Sequence, residues 1–138
     1  MIDSSISFPK QLKLHGYSVT KPRLLTFEIL RDSNRPLTMQ EIIRIANKEI
    51  DRASVYRSVD IFEESGIAQR IYSGWKYKIE LSDIFQEHHH HFTCLNCGKV
   101  YPIHDESIER IINQLAEAEQ FKITSHQLEI QGNCSQCR

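Results

Sequence analysis

The sequence predicts an α+β chain: a winged helix-turn-helix over residues 1–82, then a small α/β half over 83–138 built round a four-cysteine zinc site. Three observations predict it. Apolar residues recur at helical spacing as far as Gly66 and then give way to a hairpin pattern. All four cysteines fall late in the chain, in two Cys-x-x-Cys pairs. Residues 1–83 carry 13 Lys+Arg against 11 Asp+Glu, whereas residues 84–138 carry 4 against 7 and hold six of the seven His. One part is mildly basic and free of soft ligands; the other is acidic and full of them.

In order along the chain, residues 1–7 read as a loose tail. Pro9–His15 is a short helix ended by Gly16. Thr20 caps a second helix with Pro22 in its first turn, Leu24, Leu25, Phe27, Ile29 and Leu30 inside, and Asp32–Asn34 as its stop. Thr38-Met39-Gln40-Glu41 is a capping box ahead of an Ile42, Ile43, Ile45, Ala46 stripe. Asp51 caps a fourth helix, Arg52–Ser65, with Val55, Val59, Phe62 and Ile61 inward. Ile67–Tyr72 and Lys76–Leu81 flank Ser73-Gly74 as a hairpin, and Ser82–Glu87 reads as the hinge. Beyond it, His88–Leu95 and Lys99–Ile103 are strands turned by Cys97-Gly98. Asp105 caps a helix to about Glu119, with Ile108, Ile111, Ile112 and Leu115 as core or subunit interface. Lys122–Ile130 is a last strand carrying His126, Leu128 and Ile130 on one side.

The 138-residue chain has a net charge of −1, which excludes a wholesale basic glove for nucleic acid while allowing a local basic face. No apolar run approaches the roughly 18 residues of a membrane span, and the N-terminus lacks a signal-peptide pattern. A cytoplasmic protein with reduced thiols is expected, and there paired cysteines point to metal.

Cys94-Leu95-Asn96-Cys97 and Cys134-Ser135-Gln136-Cys137, separated by 36 residues, offer two thiolate knuckles. Four soft ligands with no open position suit a structural zinc; a redox pair or four unrelated thiols are the alternatives. On an extended strand, His88 and His90 face one way and His89 and His91 the other, so one run can feed two sites. His126 and Glu109 are candidates to complete one of them. An affinity tag or an idle surface cluster would leave the run without a role. The lone His15 and His104 read as surface residues. The fourth helix presents Arg52, Ser54, Tyr56 and Arg57 near its N-terminus, where a recognition helix contacts bases, and Arg23, Lys76 and Lys78 offer phosphate contacts. An ordinary amphipathic helix with a solvated Arg face would look similar.

Arg52-Ala53-Ser54-Val55-Tyr56-Arg57, Phe62 and Gly66, followed by the block from His88 through Cys94, Cys97 and Gly98 to Lys99, resemble the ferric uptake regulator family. Val19-Thr20 and Arg23 are similar too, and the likeness runs from about residue 10 to 137. The resemblance implies a homodimeric, metal-dependent DNA-binding repressor of metal-homeostasis genes, not an enzyme, acting on an A/T-rich palindromic operator in double-stranded DNA. It makes the second half the dimerisation domain. Cys94, Cys97, Cys134 and Cys137 match the structural zinc site of the family. His88, His90, Glu109 and His126 match an inner metal site, and Glu80, His89 and His91 match the regulatory site that bridges the halves. Tyr56 and Arg57 match base-contacting residues.

The departures bear on the effector. The loop Ser33-Asn34-Arg35-Pro36-Leu37 lacks the His that relatives often contribute to the bridging site, leaving that site either incomplete or completed by Asp83 or water. Ser82–Glu87 lacks the Cys of zinc regulators, and His90 stands where ferric regulators often carry Asp. Pro102 replaces the carboxylate of peroxide sensors. Ser18 replaces a minor-groove Lys, with Lys13 or Lys21 as substitutes. Nitrogen-rich ligation favours Zn(II), while Glu80 without a Cys tolerates Fe(II) or Mn(II), so iron is favoured narrowly over a zinc uptake regulator. A zinc hydrolase with Glu109 as base, or a metal buffer, would leave the first four helices unexplained.

Overall fold

The computed structural model describes residues 6–138 as two compact units, one ending at Glu87 and the other spanning His88–Arg138. The expected tail over residues 1–7 lies largely outside the described residues; within them, Ser7 is already the N-cap of α1. The first unit runs α1 (Phe8–Leu14), α2 (Lys21–Asp32), α3 (Met39–Ala46), α4 (Arg52–Glu64), β1 (Ala68–Ser73) and β2 (Lys76–Leu81). Each helix starts where a short polar side chain accepts a bond from the first turn. Ser7 caps α1, Thr20 caps α2, Thr38 caps α3 and Asp51 caps α4. Gly16 and Gly66 adopt positive φ just past α1 and α4, where a side chain would be strained.

Phe8, Leu12, Phe27, Leu30, Ile42, Val55, Val59, Phe62, Ile67 and Ile79 belong to one core. Phe8 stacks on Phe27 at 4.2 Å and meets Phe62 edge-on at 5.5 Å. Inside this core Gln11 donates to the Ser65 carbonyl at 2.6 Å, so a buried amide is satisfied while fixing α1 to the end of α4. β1 and β2 form an antiparallel hairpin with Ser73 opposite Lys76, so the turn is Gly74-Trp75, one residue later than expected. Leu37 exchanges backbone bonds with Ile79 at 2.9 and 2.7 Å and so lines the hairpin's second strand. Two positions expected inside are exposed instead, Leu24 and Ile45, because each lies off the stripe that meets the neighbouring helices. The expected hinge segment belongs to the first unit: Phe85 packs edge-on against Phe27 at 5.2 Å.

The second unit runs β3 (His90–Cys94), β4 (Val100–Ile103), α5 (Glu106–Ala118) and β5 (Glu129–Gly132). The sheet order is β4-β3-β5, with β4 antiparallel and β5 parallel to β3. A parallel return needs a crossover, which explains why Lys122–Leu128, expected as strand, has no strand pairing: that stretch carries the chain from α5 back to the sheet. Asp105 caps α5 as expected. No residue of α5 is buried, and Ile111 and Leu115 are 56% and 63% exposed, so of the four stripe residues Ile108 and Ile112 alone are partly covered within the chain. No described helix is long and apolar enough to cross a membrane.

The α3 capping box is extended by an ion pair. Thr38 N–H donates to Glu41 Oε2 at 2.8 Å, Glu41 N–H donates to Thr38 Oγ1 at 3.1 Å, and Arg35 Nη2 meets Glu41 Oε1 at 2.8 Å. The Arg35 guanidinium holds the Glu41 carboxyl down at about 2. A carboxyl whose pKa is lower folded than unfolded stabilises the fold above its unfolded pKa of about 4.3, and that contribution is lost as pH falls toward the folded value. Glu41→Ala should therefore cost about 1 kcal/mol in urea unfolding near pH 7, a typical capping-box magnitude. The deficit should shrink when the same pair is compared near about pH 3, read by far-ultraviolet circular dichroism.

Candidate functional site: metal centres and a nucleic-acid face

The two cysteine knuckles sit at the β3–β4 turn and just after β5. Because β5 runs parallel to β3, with Cys94 opposite Gly132, the chain leaves β5 beside the first knuckle. The four sulfur atoms lie within 4.8 Å of one another, and Cys97 Sγ to Cys134 Sγ is 3.9 Å. A tetrahedron with bonds of about 2.3 Å has edges of about 3.8 Å, so this spacing suits one zinc ion. Backbone N–H groups of Cys97 and Cys134 donate to Cys94 Sγ at 3.5 and 3.4 Å. Those donors pull the Cys94 thiol down to about 6, and a backbone N–H of Gln136 lowers Cys134 in the same way. Donors that stabilise thiolate prepare sulfur for a metal.

The four-His run divides as its alternation requires. His88 and His90 face α5 and the crossover stretch. His88 Nε2 lies 3.1 Å from His126 Nε2, His90 Nε2 lies 2.7 Å from Glu109 Oε1, and His126 Nε2 lies 3.3 Å from the same oxygen. Four ligands at about 2.0–2.1 Å from one centre would have edges near about 3.3 Å. Partial burial pushes the Glu109 carboxyl up, but hydrogen bonds from His90 and His126 outweigh it and hold the group below its ordinary value. His90 is buried with its Nδ1 unpartnered, an arrangement that leaves the imidazole to act through Nε2.

His89 and His91 occupy the opposite face, their rings 4.6 Å apart. His91 Nδ1 lies 2.9 Å from Glu129 Oε1, its register partner on β5. A carboxylate on Nδ1 fixes the tautomer and leaves Nε2 for a metal. Glu129 was missed in the sequence because only the parallel pairing of β5 brings it there. Glu80 lies on β2 of the first unit, where its Oε1 accepts from Gln69 Nε2 at 2.9 Å. His104, read from the sequence as a surface residue, stands 5.5 Å from His89 between ring centres.

The nucleic-acid candidates cluster on the first turns of α4. Ser54 N–H and Oγ donate to Asp51 at 2.8 and 2.9 Å, and Arg57 Nη2 donates to Ser54 Oγ at 3.2 Å. The Arg52 guanidinium lies 5.9 Å from the centre of the exposed Tyr56 ring. Arg23, at the start of α2, donates to the Ser18 carbonyl at 2.7 Å and lies 5.4 Å from the Tyr17 ring.

This arrangement has close relatives. The family model described as the ferric uptake regulator family matches residues 14–131. The ferric uptake regulation protein of Yersinia pestis is 36% identical over 130 residues, covering 91% of this chain and 86% of that protein. The crystal structure of the Vibrio cholerae ferric uptake regulator superposes with a TM-score of 0.74 at 30% identity, over 93% of this chain and all (100%) of that one. The Helicobacter pylori ferric uptake regulator, whose structure is described as having three functional metal-binding sites, gives 0.77 at 28% identity, over 91% and 85%. A winged-helix unit joined to a cysteine- and histidine-rich α/β unit, matched over nearly its whole length, makes this chain a member of the ferric uptake regulator family of metal-responsive regulators.

Proposed function

We propose that the chain is a cytoplasmic homodimeric repressor that binds an A/T-rich palindromic operator in double-stranded DNA when a regulatory metal is held, and so controls metal-homeostasis genes. The observation that carries this reading is the joint presence, in one chain of this family, of an exposed Tyr56–Arg57 helix face and two histidine–carboxylate pairs on opposite faces of β3, His90 with Glu109 and His91 with Glu129. Arg52, Ser54, Tyr56 and Arg57 are the base-reading candidates, because early residues of a recognition helix reach base edges and an Arg can bond guanine twice. Arg23 serves phosphate.

Cys94, Cys97, Cys134 and Cys137 are assigned the structural zinc, whose closed sulfur set contributes folding free energy. His88, His90, Glu109 and His126 are assigned an inner site. The regulatory site takes its ligands from Glu80 in the first unit and from His89 and His91 in the second. A metal held by these residues would supply a cross-link, and operator affinity would scale with the fraction of molecules in the competent pose. The dimer is supported by apolar surface that the single chain leaves open. Tyr101, Phe92 and Ile130 form one row across β4, β3 and β5, lining an open groove of about 540 Å³, and Ile111 and Leu115 stand exposed on α5.

Iron is the favoured effector, since a carboxylate with imidazoles and no thiolate suits Fe(II) and its substitute Mn(II). The nitrogen-rich inner group, with His90 among its ligands, favours zinc and makes a zinc uptake regulator the second reading. Operator-binding anisotropy against buffered free Fe(II) and Zn(II), after mild chelation, separates the two. Recovery with Fe(II) or Mn(II) only supports iron, and recovery at trace free zinc supports zinc. A His89→Ala, His91→Ala protein should remain folded and lose metal-dependent binding; unchanged binding by that protein would refute the proposed switch.

A further inference from the structure

We infer that His104 is an additional ligand of the regulatory metal, joining His89 and His91 on the outer face of the second unit's sheet. This rests on the reading that His89 and His91 hold that metal. Along the antiparallel β3–β4 ladder, His91 pairs with Pro102 and His90 with Ile103. Continuing the register by one residue sets His89 opposite His104. By the period of two, His89, His91 and His104 then share one face, while His88, His90 and Ile103 share the other.

The ring spacing of His89 and His91 matches that of the inner group, and His104 stands slightly farther off, within reach of a ring rotation. Two imidazoles bound to one metal through nitrogens at about 2.0–2.1 Å have ring centres about 4.5–5.3 Å apart at octahedral to tetrahedral angles. In the inner group the centres of His88, His90 and His126 are 4.6, 4.8 and 5.2 Å apart. On the outer face His89 is 4.6 Å from His91 and 5.5 Å from His104. The backbone at His104 is held on both sides. Ile103 is the last residue of β4, and Asp105 is the α5 N-cap, accepting from Ser107 N–H at 2.8 Å and Ser107 Oγ at 2.6 Å. The ring itself is exposed, so it can rotate onto a metal and leave it again, as a site that must release its ion requires.

The sequence supplies a reason for the extra ligand. The α2–α3 loop carries no His, and Pro102, on the same strand and face, offers no donor. Within the second unit His89 and His91 are two donors; His104 makes a third. It also makes the site richer in nitrogen, which shifts preference from Mn(II) toward Co(II) and Zn(II).

The test uses the full-length dimer with its cysteine site zinc-loaded, titrated with Co(II) against a competing chelator and followed by the hyperfine-shifted ring-proton signals of coordinated His. His104→Ala should lose one coordinated-His signal set and weaken Co(II) at this site by about tenfold or more. It should leave the signals of His88, His90 and His126 in place, which also reports that the unit has folded. His104→Glu should recover affinity and shift the ratio of Mn(II) to Co(II) affinity toward Mn(II). An unchanged signal count and affinity in His104→Ala would overturn the assignment. Loss of the signals with metal-dependent operator binding unaltered would instead keep His104 as a ligand and overturn the regulatory reading of His89 and His91.

Discussion

The second unit folds under a severe constraint: within the single chain it buries almost nothing apolar. Its buried residues are His90, His91, Thr93 and Cys94, whereas the core of Phe, Leu, Ile and Val side chains lies in the first unit. A segment of this size without an apolar core is held by staples. Here the staples are ligand clusters. The cysteine group joins the β3–β4 turn to the segment after β5, and the inner histidine group joins β3 to α5 and to the crossover stretch. Each strand and helix of this unit therefore carries or adjoins at least one of these side-chain clusters.

The period of two along β3 then divides the chemistry. One face of the strand sends His88 and His90 to Glu109 and His126; the other presents His89 and His91 with Glu129 behind His91. Two sites offset by one residue in sequence can thus differ in burial and access while sharing one backbone. A one-residue slip would exchange them, so the register that fixes the cysteine cage also fixes which histidines are inward. Burial and charge act together on the inner face, where His90 and His126 keep Glu109 ionised despite its partial burial.

What was legible in the sequence was what local chemistry decides. Thr20, Thr38 with Glu41, Asp51 and Asp105 cap the helices expected of them, because a cap is an interaction within one turn. The cysteine spacing and the histidine alternation were legible for the same reason. Strand pairings between distant segments were not. Glu129 meets His91 only through a parallel strand pairing, and Lys122–Leu128 gives up its strand pattern to the crossover. The apolar stripe of α5 reads as core or subunit interface, and Ile111 and Leu115 face outward because the single chain has no layer to cover them. His104 looked isolated in the sequence until the β3–β4 register set it beside His89.

The central claim is that ligand clusters, not an apolar core, hold the second unit. Backbone hydrogen exchange on the zinc-loaded and zinc-stripped full-length chain tests it most directly. The account predicts that removing zinc abolishes protection across β3, β4 and β5 while α2, α3 and α4 keep theirs. Retained protection of the three strands in the stripped protein would contradict it.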